Sequence, residues 1–123
     1  MPLALWANTR DADERDVRNR LRKAGLEQYF QWVITSVDAG ARKPSAGFFD
    51  YALQVCGFTK HDVVFVGNQM NTDIAGGETY GISTVWLSGD EYRSDDDRSC
   101  GARPAYNIRS LRDLPALMNE IRA

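Results

Sequence analysis

The stretch Val63–Gly77, VVFVGNQMNTDIAGG, constrains the fold more than any other part of the chain. Val63, Val64, Phe65 and Val66 form an apolar run of β-branched and aromatic residues, the composition of a buried strand. Gly67 breaks the run, a polar loop follows, and an amphipathic segment begins at Asp73. A strand that stops at a glycine and turns into a helix places its loop at the carboxyl edge of a parallel sheet, where α/β proteins bind ligands. Asn68 and Asp73 bracket that loop with oxygens suited to a hard cation or a phosphate-bearing ligand. Asn68, however, is an amide where a carboxylate is expected.

The remainder of the chain alternates strands and helices in the same way. Leu3–Ala7 is expected to be a strand, and Asn8-Thr9-Arg10-Asp11 a polar turn. A helix follows, with Asp11 and Glu14 at capping-box spacing, Val17, Leu21 and Ala24 on its apolar face, and Gly25 at its end. Leu26, Tyr29 and Phe30 form an apolar turn, and Trp32–Val37 is the second strand. The loop from Asp38 to Pro44 carries Arg42 and Lys43. Ser45 then caps a helix whose Phe48, Phe49, Ala52, Leu53 and Cys56 make a wide apolar face, closed by Gly57. That periodicity makes the two phenylalanines core residues rather than a stacking platform. After the central loop the spacing predicts a helix over Asp73–Tyr80, a strand at Ser83–Leu87 and a short strand at Tyr106–Ile108. A last helix is capped by Asp113, carries Pro115 in its first turn, and turns Leu114, Leu117, Met118 and Ile121 inward.

This alternation implies parallel βαβ units with right-handed crossovers, hence a three-layer α/β/α sandwich on a Rossmann-like sheet. At 123 residues there is room for one domain spanning 1–123 and one core. A formal charge of −2 gives no reason to expect nucleic acid or an anionic membrane as a partner. Arg15, Arg18, Arg20, Arg22 and Lys23 alternate with acids and read as a solvated face. The Asp95–Asp97 run reads as a solvated loop, since three consecutive carboxylates rarely converge on one ion. Cys56 and Cys100 form no CxxC and read as reduced thiols. No run approaches a membrane span and residues 1–20 are too charged for a signal peptide, so a cytoplasmic location is expected.

Three loops therefore follow three parallel strands: Asn8-Thr9, Arg42-Lys43 and Asn68 to Asp73. In a doubly wound sheet they belong to one rim, where a lysine neutralises a phosphoryl group and acidic oxygens hold Mg²⁺. Leu3–Asn8, the Arg42–Phe49 stretch and Val63–Gly77 resemble the successive motifs of the haloacid dehalogenase superfamily, and the strand at Ile82–Leu87 and the Asn107–Leu117 ending are similar to the same family. The resemblance runs over essentially the whole chain and is greatest to the carboxyl-terminal part of the core of small-molecule phosphatases and dehalogenases.

The resemblance implies an aspartate nucleophile in a D-x-D motif on a first strand, a Ser or Thr that binds the phosphoryl group, a charge-stabilising Lys, and an acidic pair for Mg²⁺. Lys43, followed by Pro44, matches the lysine. Ala7 falls at the Ser/Thr position, with Asn8 and Thr9 as the remaining phosphate-binding candidates. Asn68 replaces the first metal-loop acid and Asp73 keeps the second. Met1 sits just before what matches the second strand, so the nucleophile strand is expected to be absent. Asp11 and Asp13 are spaced as D-x-D but lie at a helix start rather than after an apolar strand. The implied function is a catalytically inactive binding or interaction module; the alternative is a fragment or split half of a Mg²⁺-dependent phosphatase or dehalogenase whose D-x-D strand comes from elsewhere. No cofactor is expected beyond weakly held Mg²⁺. A small anion is a possible ligand. A missing strand would leave apolar edges and faces uncovered, so a homodimer is expected.

Overall fold

Strand β1 (Ala4–Ala7) is followed by a turn that helix α1 (Glu14–Lys23) leaves through a complete capping box. The cap is Asp13, whose side chain accepts the Asp16 N–H while the Asp16 side chain accepts the Asp13 N–H. The expected Asp11/Glu14 pair has the same spacing but does not form. The Thr9 hydroxyl donates to the Ala12 carbonyl and Ala12 turns into the core, which delays the helix start by two residues. At the other end Gly25 takes a positive φ of 74°, as a glycine just past a helix does, and Leu26 N–H closes back on the Leu21 carbonyl.

The computed structural model describes residues 1–88 and 101–122. The Asp95–Asp97 run and Cys100 lie outside the described residues. The chain forms two compact units, Met1–Thr59 and Lys60–Ala123.

In the first unit β1 pairs in parallel with β2 (Trp32–Thr35), with Ala4 opposite Trp32 and Ala7 opposite Thr35. The strand ends two residues before the expected Val37, because Thr35 becomes the cap of a one-turn helix α2 (Ser36–Ala39). Its hydroxyl accepts the Asp38 N–H and donates to the Asp38 carboxylate, satisfying groups the strand would otherwise have left to a neighbour. Helix α3 (Ala46–Cys56) is bounded as expected by Ser45, which accepts the Gly47 N–H, and by Gly57 in the left-handed region. Phe48 and Phe49 are 0% exposed and meet each other and Trp6 edge-on, with centroids 5.8 to 6.4 Å apart. They are core, and such edge-to-face packing adds to the area they bury. A second cluster joins Ala12, Val17 and Val33 with Leu5, Leu21 and Phe30, burying the apolar face of α1 against β1 and β2.

In the second unit β3 (Val64–Gly67), β4 (Ser83–Leu87) and β5 (Tyr106–Ile108) form a parallel sheet in that order. The helical segment after β3 starts earlier than the expected Asp73. Met70–Ile74 is a π turn that runs into α4 (Ala75–Tyr80), and Gly81 ends it. Gly77 lets α4 lie close to the sheet, since a Cβ there would sit 2.6 Å from the Thr84 methyl. The last helix, α5 (Leu114–Arg122), is entered through a 3₁₀ turn at Leu111–Asp113 whose cap is Ser110 rather than Asp113. No helix among the described residues is long and apolar enough to cross a membrane.

Candidate functional site

The candidate residues lie in two loop systems, one in each unit. In the first, Ala7 ends β1 and Asn8 begins the loop. Asn8 is half-buried, and both ends of its amide bind the peptide groups of Lys43: Nδ2 donates to the Lys43 carbonyl at 3.0 Å, and Oδ1 accepts the Lys43 N–H at 2.9 Å. Lys43 is 8% exposed. Its ammonium donates to the Trp6 carbonyl at 2.8 Å and lies 5.7 Å from the centre of the Phe48 ring. A lysine this buried costs stability unless its charge is solvated by protein groups, and the carbonyl and the aromatic face supply that. The Lys43–Pro44 bond is cis.

Thr9 is tied from several sides. Its N–H donates to Ser36 Oγ at 2.8 Å, its carbonyl accepts from Ser36 Oγ at 2.9 Å and from Arg42 Nη1 at 2.6 Å, and its hydroxyl donates to the Ala12 carbonyl at 2.7 Å. That hydroxyl is engaged in shaping the turn before α1. Ala7, at the position the resemblance gives to a hydroxyl, presents a methyl. Asp38 binds the same region together, accepting the Glu14 N–H at 2.8 Å and the Thr35 hydroxyl at 2.7 Å. Ser36 and Asp38 escaped the sequence reading, although Thr35 and Asp38 have the spacing of a cap.

In the second unit Asp73 is 5% exposed and folds back on its own loop. Its Oδ2 accepts the Gln69 N–H at 3.2 Å, and its side chain lies directly over Gly67, where an added Cβ would come within 2.5 Å of Oδ2. Gly67 is therefore there for close approach, which no other residue permits. Asn68 is exposed, and its carbonyl accepts the Trp86 indole N–H at 3.2 Å. Trp86 in turn packs with Met70, Ile74 and Ala102, which anchors the loop to β4.

Burial in the first unit also acts on Cys56, a free thiol. Desolvation raises its pKa above the ordinary thiol value, and a hydrogen bond with Trp6 opposes the rise.

Parallel strands alternating with helices, with a buried lysine in one unit and a glycine-seated aspartate in the other, define the class: a Rossmann-like α/β scaffold. The model of the HAD-hydrolase-like family matches residues 40–114, and the chain belongs to that family. Similar proteins include pyrimidine 5′-nucleotidase YjjG of Escherichia coli, 34% identical over 80% of this chain and 43% of its own length. Pyrimidine 5′-nucleotidase PynA of Streptococcus pneumoniae is 32% identical over 77% of this chain and 39% of its own. Among solved structures, the magnesium-bound HAD-hydrolase YfnB of Bacillus subtilis superposes with a TM-score of 0.79 at 27% identity, over 96% of this chain and 49% of that one. The chain spans less than half the length of these relatives.

For the Mg²⁺ this family implies, Asn68 and Asp73 fit poorly as a donor set. One Asp73 oxygen is engaged by the Gln69 N–H, and Asn68 offers an uncharged amide oxygen. A hard cation gains affinity with the number of charged ligands. Among the described residues no three His, Cys, Asp or Glu side chains are grouped to hold a metal.

Proposed function

We propose that residues 1–123 act as a HAD-like binding or interaction module without turnover of its own. The observation that carries this reading is the amide of Asn68 in the metal loop, beside an Asp73 whose Oδ2 accepts the Gln69 N–H. The phosphate side is depleted in the same way, with Ala7 at the hydroxyl position and the Thr9 hydroxyl given to Ala12. Covalent catalysis by a carboxylate needs a nucleophile placed beyond a strand end. Asp13, in the D-x-D at Asp11–Asp13, is instead occupied in capping α1.

Lys43 is the group that remains for recognition, so the ligand is a small oxyanion such as a phosphate. A pyrimidine nucleoside 5′-monophosphate is the first organic phosphate to try, since YjjG and PynA are named for that substrate class. Self-association belongs to the same reading and is supported by exposed Leu26, Tyr29, Val55 and Phe58. Turnover of a generic phosphate ester tests the reading: none is expected with or without Mg²⁺, and activity that vanishes in Lys43→Ala overturns it.

A second reading, one half of a Mg²⁺-dependent HAD-type hydrolase, is favoured by one feature. A buried lysine is retained after α2 and a buried aspartate in the turn after β3, at a desolvation cost that a bare scaffold has no need to carry. On that reading hydrolysis appears when a segment bearing a D-x-D strand is added in trans, and failure of that complementation counts against it.

A further inference from the structure

We propose that Asn8 is a positioning residue for Lys43 rather than a contact to the ligand. Its carboxamide presents an N–H donor and an oxygen acceptor side by side, and this pair is used on a single residue 35 positions away. The ring they close matches the N–H and C=O of Lys43, one from each of its two flanking peptide groups, a match that Asp, with acceptors only, makes by half and Ala does not make. Asn8 directly follows the last residue of β1, so the ring fixes the Lys43 backbone to the carboxyl end of that strand. From there the ammonium reaches the Trp6 carbonyl at 2.8 Å, over the Phe48 ring. A long side chain held this way has lost its rotamer freedom before a ligand arrives, which removes that part of the cost of binding. With one amide N–H and the amide oxygen committed to Lys43, what Asn8 gives an oxyanion site is the placement of that lysine. This inference rests on the reading of Lys43 as an oxyanion-binding group.

The test is trace acetylation of the amines of the full chain, read residue by residue by mass spectrometry, with and without inorganic phosphate. Lys23 and Lys60, both exposed, are internal references, and alkylation of the buried Cys56 reports global unfolding. In the unaltered chain Lys43 labels more slowly than the other two lysines, and phosphate slows it further. In Asn8→Ala the Lys43 rate rises about tenfold or more, as loss of two hydrogen bonds implies, while Cys56 stays protected and the phosphate effect disappears. Asn8→Asp, which keeps the acceptor, gives an intermediate rate. If Cys56 opens in Asn8→Ala, Asn8→Asp decides by the same criteria. Unchanged Lys43 labelling in a folded variant overturns the proposal. So does opening of Cys56 together with Lys43 in both variants, since Asn8 then holds the fold and not the ammonium. If phosphate leaves Lys43 labelling of the unaltered chain unchanged, the oxyanion reading falls, while the positioning role still stands or falls on the acetylation rates.

Discussion

Gly67 is the position at which a single atom decides a loop. A methyl group there would lie 2.5 Å from Asp73 Oδ2 and 2.6 Å from its Cγ, so the carboxylate must leave the Gln69 N–H or the backbone must shift. Overpacking of this kind costs about 1–3 kcal/mol. Gly67→Ala is accordingly expected to lower the unfolding free energy by that amount, read as a fall in the urea midpoint, whereas a midpoint equal to that of the unaltered chain would show that Asp73 moves aside without cost. Cys56 makes a second prediction, in pH. Its pKa is raised in the folded chain by burial, so the neutral thiol is the form the fold favours. The stability it contributes is fully present below the unfolded thiol value of about 8.5 and is lost as pH rises through the higher folded value. Urea midpoints measured from neutral into alkaline pH should therefore fall more steeply in the unaltered chain than in Cys56→Ala. Parallel slopes would mean that the thiol is not the titrating group.

At the scale of the element, α1 shows how a local rule can be right in kind and wrong in place. Asp11/Glu14 and Asp13/Asp16 have the same spacing, and only the tertiary environment separates them: Ala12 is drawn into the core and the Thr9 hydroxyl holds its carbonyl. Asp13→Ala is expected to lower the thermal midpoint and Asp11→Ala to leave it unchanged, and the reverse order would put the cap where the sequence alone suggests. The carboxylate of Asp13 is held below its ordinary pKa, first by the Asp16 N–H, so its contribution is present above the unfolded carboxylate value and fades as pH falls through the folded one. Much of the element order was legible. The Ser83–Leu87 and Tyr106–Ile108 strands and the Ser45–Gly57 helix with its two caps follow from alternation, cap residues and glycines alone. What escaped is partly local competition for caps and turns and partly pairing between residues distant in sequence. The β2 strand stops early because Thr35 turns to Asp38, the helix after β3 starts early as a π turn, and the Asn8–Lys43 ring joins residues no local window contains. Lys43 itself was legible, but its burial against Trp6 and Phe48 was not.

For the whole molecule, family membership and lack of turnover rest on different ground. The HAD-hydrolase-like match and the superposition on YfnB establish the family and its fold, and the chain spans 49% of that structure. The proposed loss of chemistry rests on particular side chains: Asn68 in the metal loop, Ala7 at the hydroxyl position, and an Asp13 occupied in capping α1 rather than placed as a nucleophile. Self-association is expected to appear in light scattering as a mass approaching twice that of the chain as concentration rises, and a concentration-independent monomer mass would refute it. The central claim, binding without turnover, is tested most directly by hydrolysis of p-nitrophenyl phosphate by residues 1–123 in the presence of Mg²⁺. The same assay is run on Lys43→Ala and on the double substitution Ala7→Thr/Asn68→Asp, which restores the two depleted positions. No release above the Lys43→Ala background is expected from the unaltered chain or from the double variant, because neither carries a placed nucleophile. Steady release by the unaltered chain that disappears in Lys43→Ala would contradict the claim.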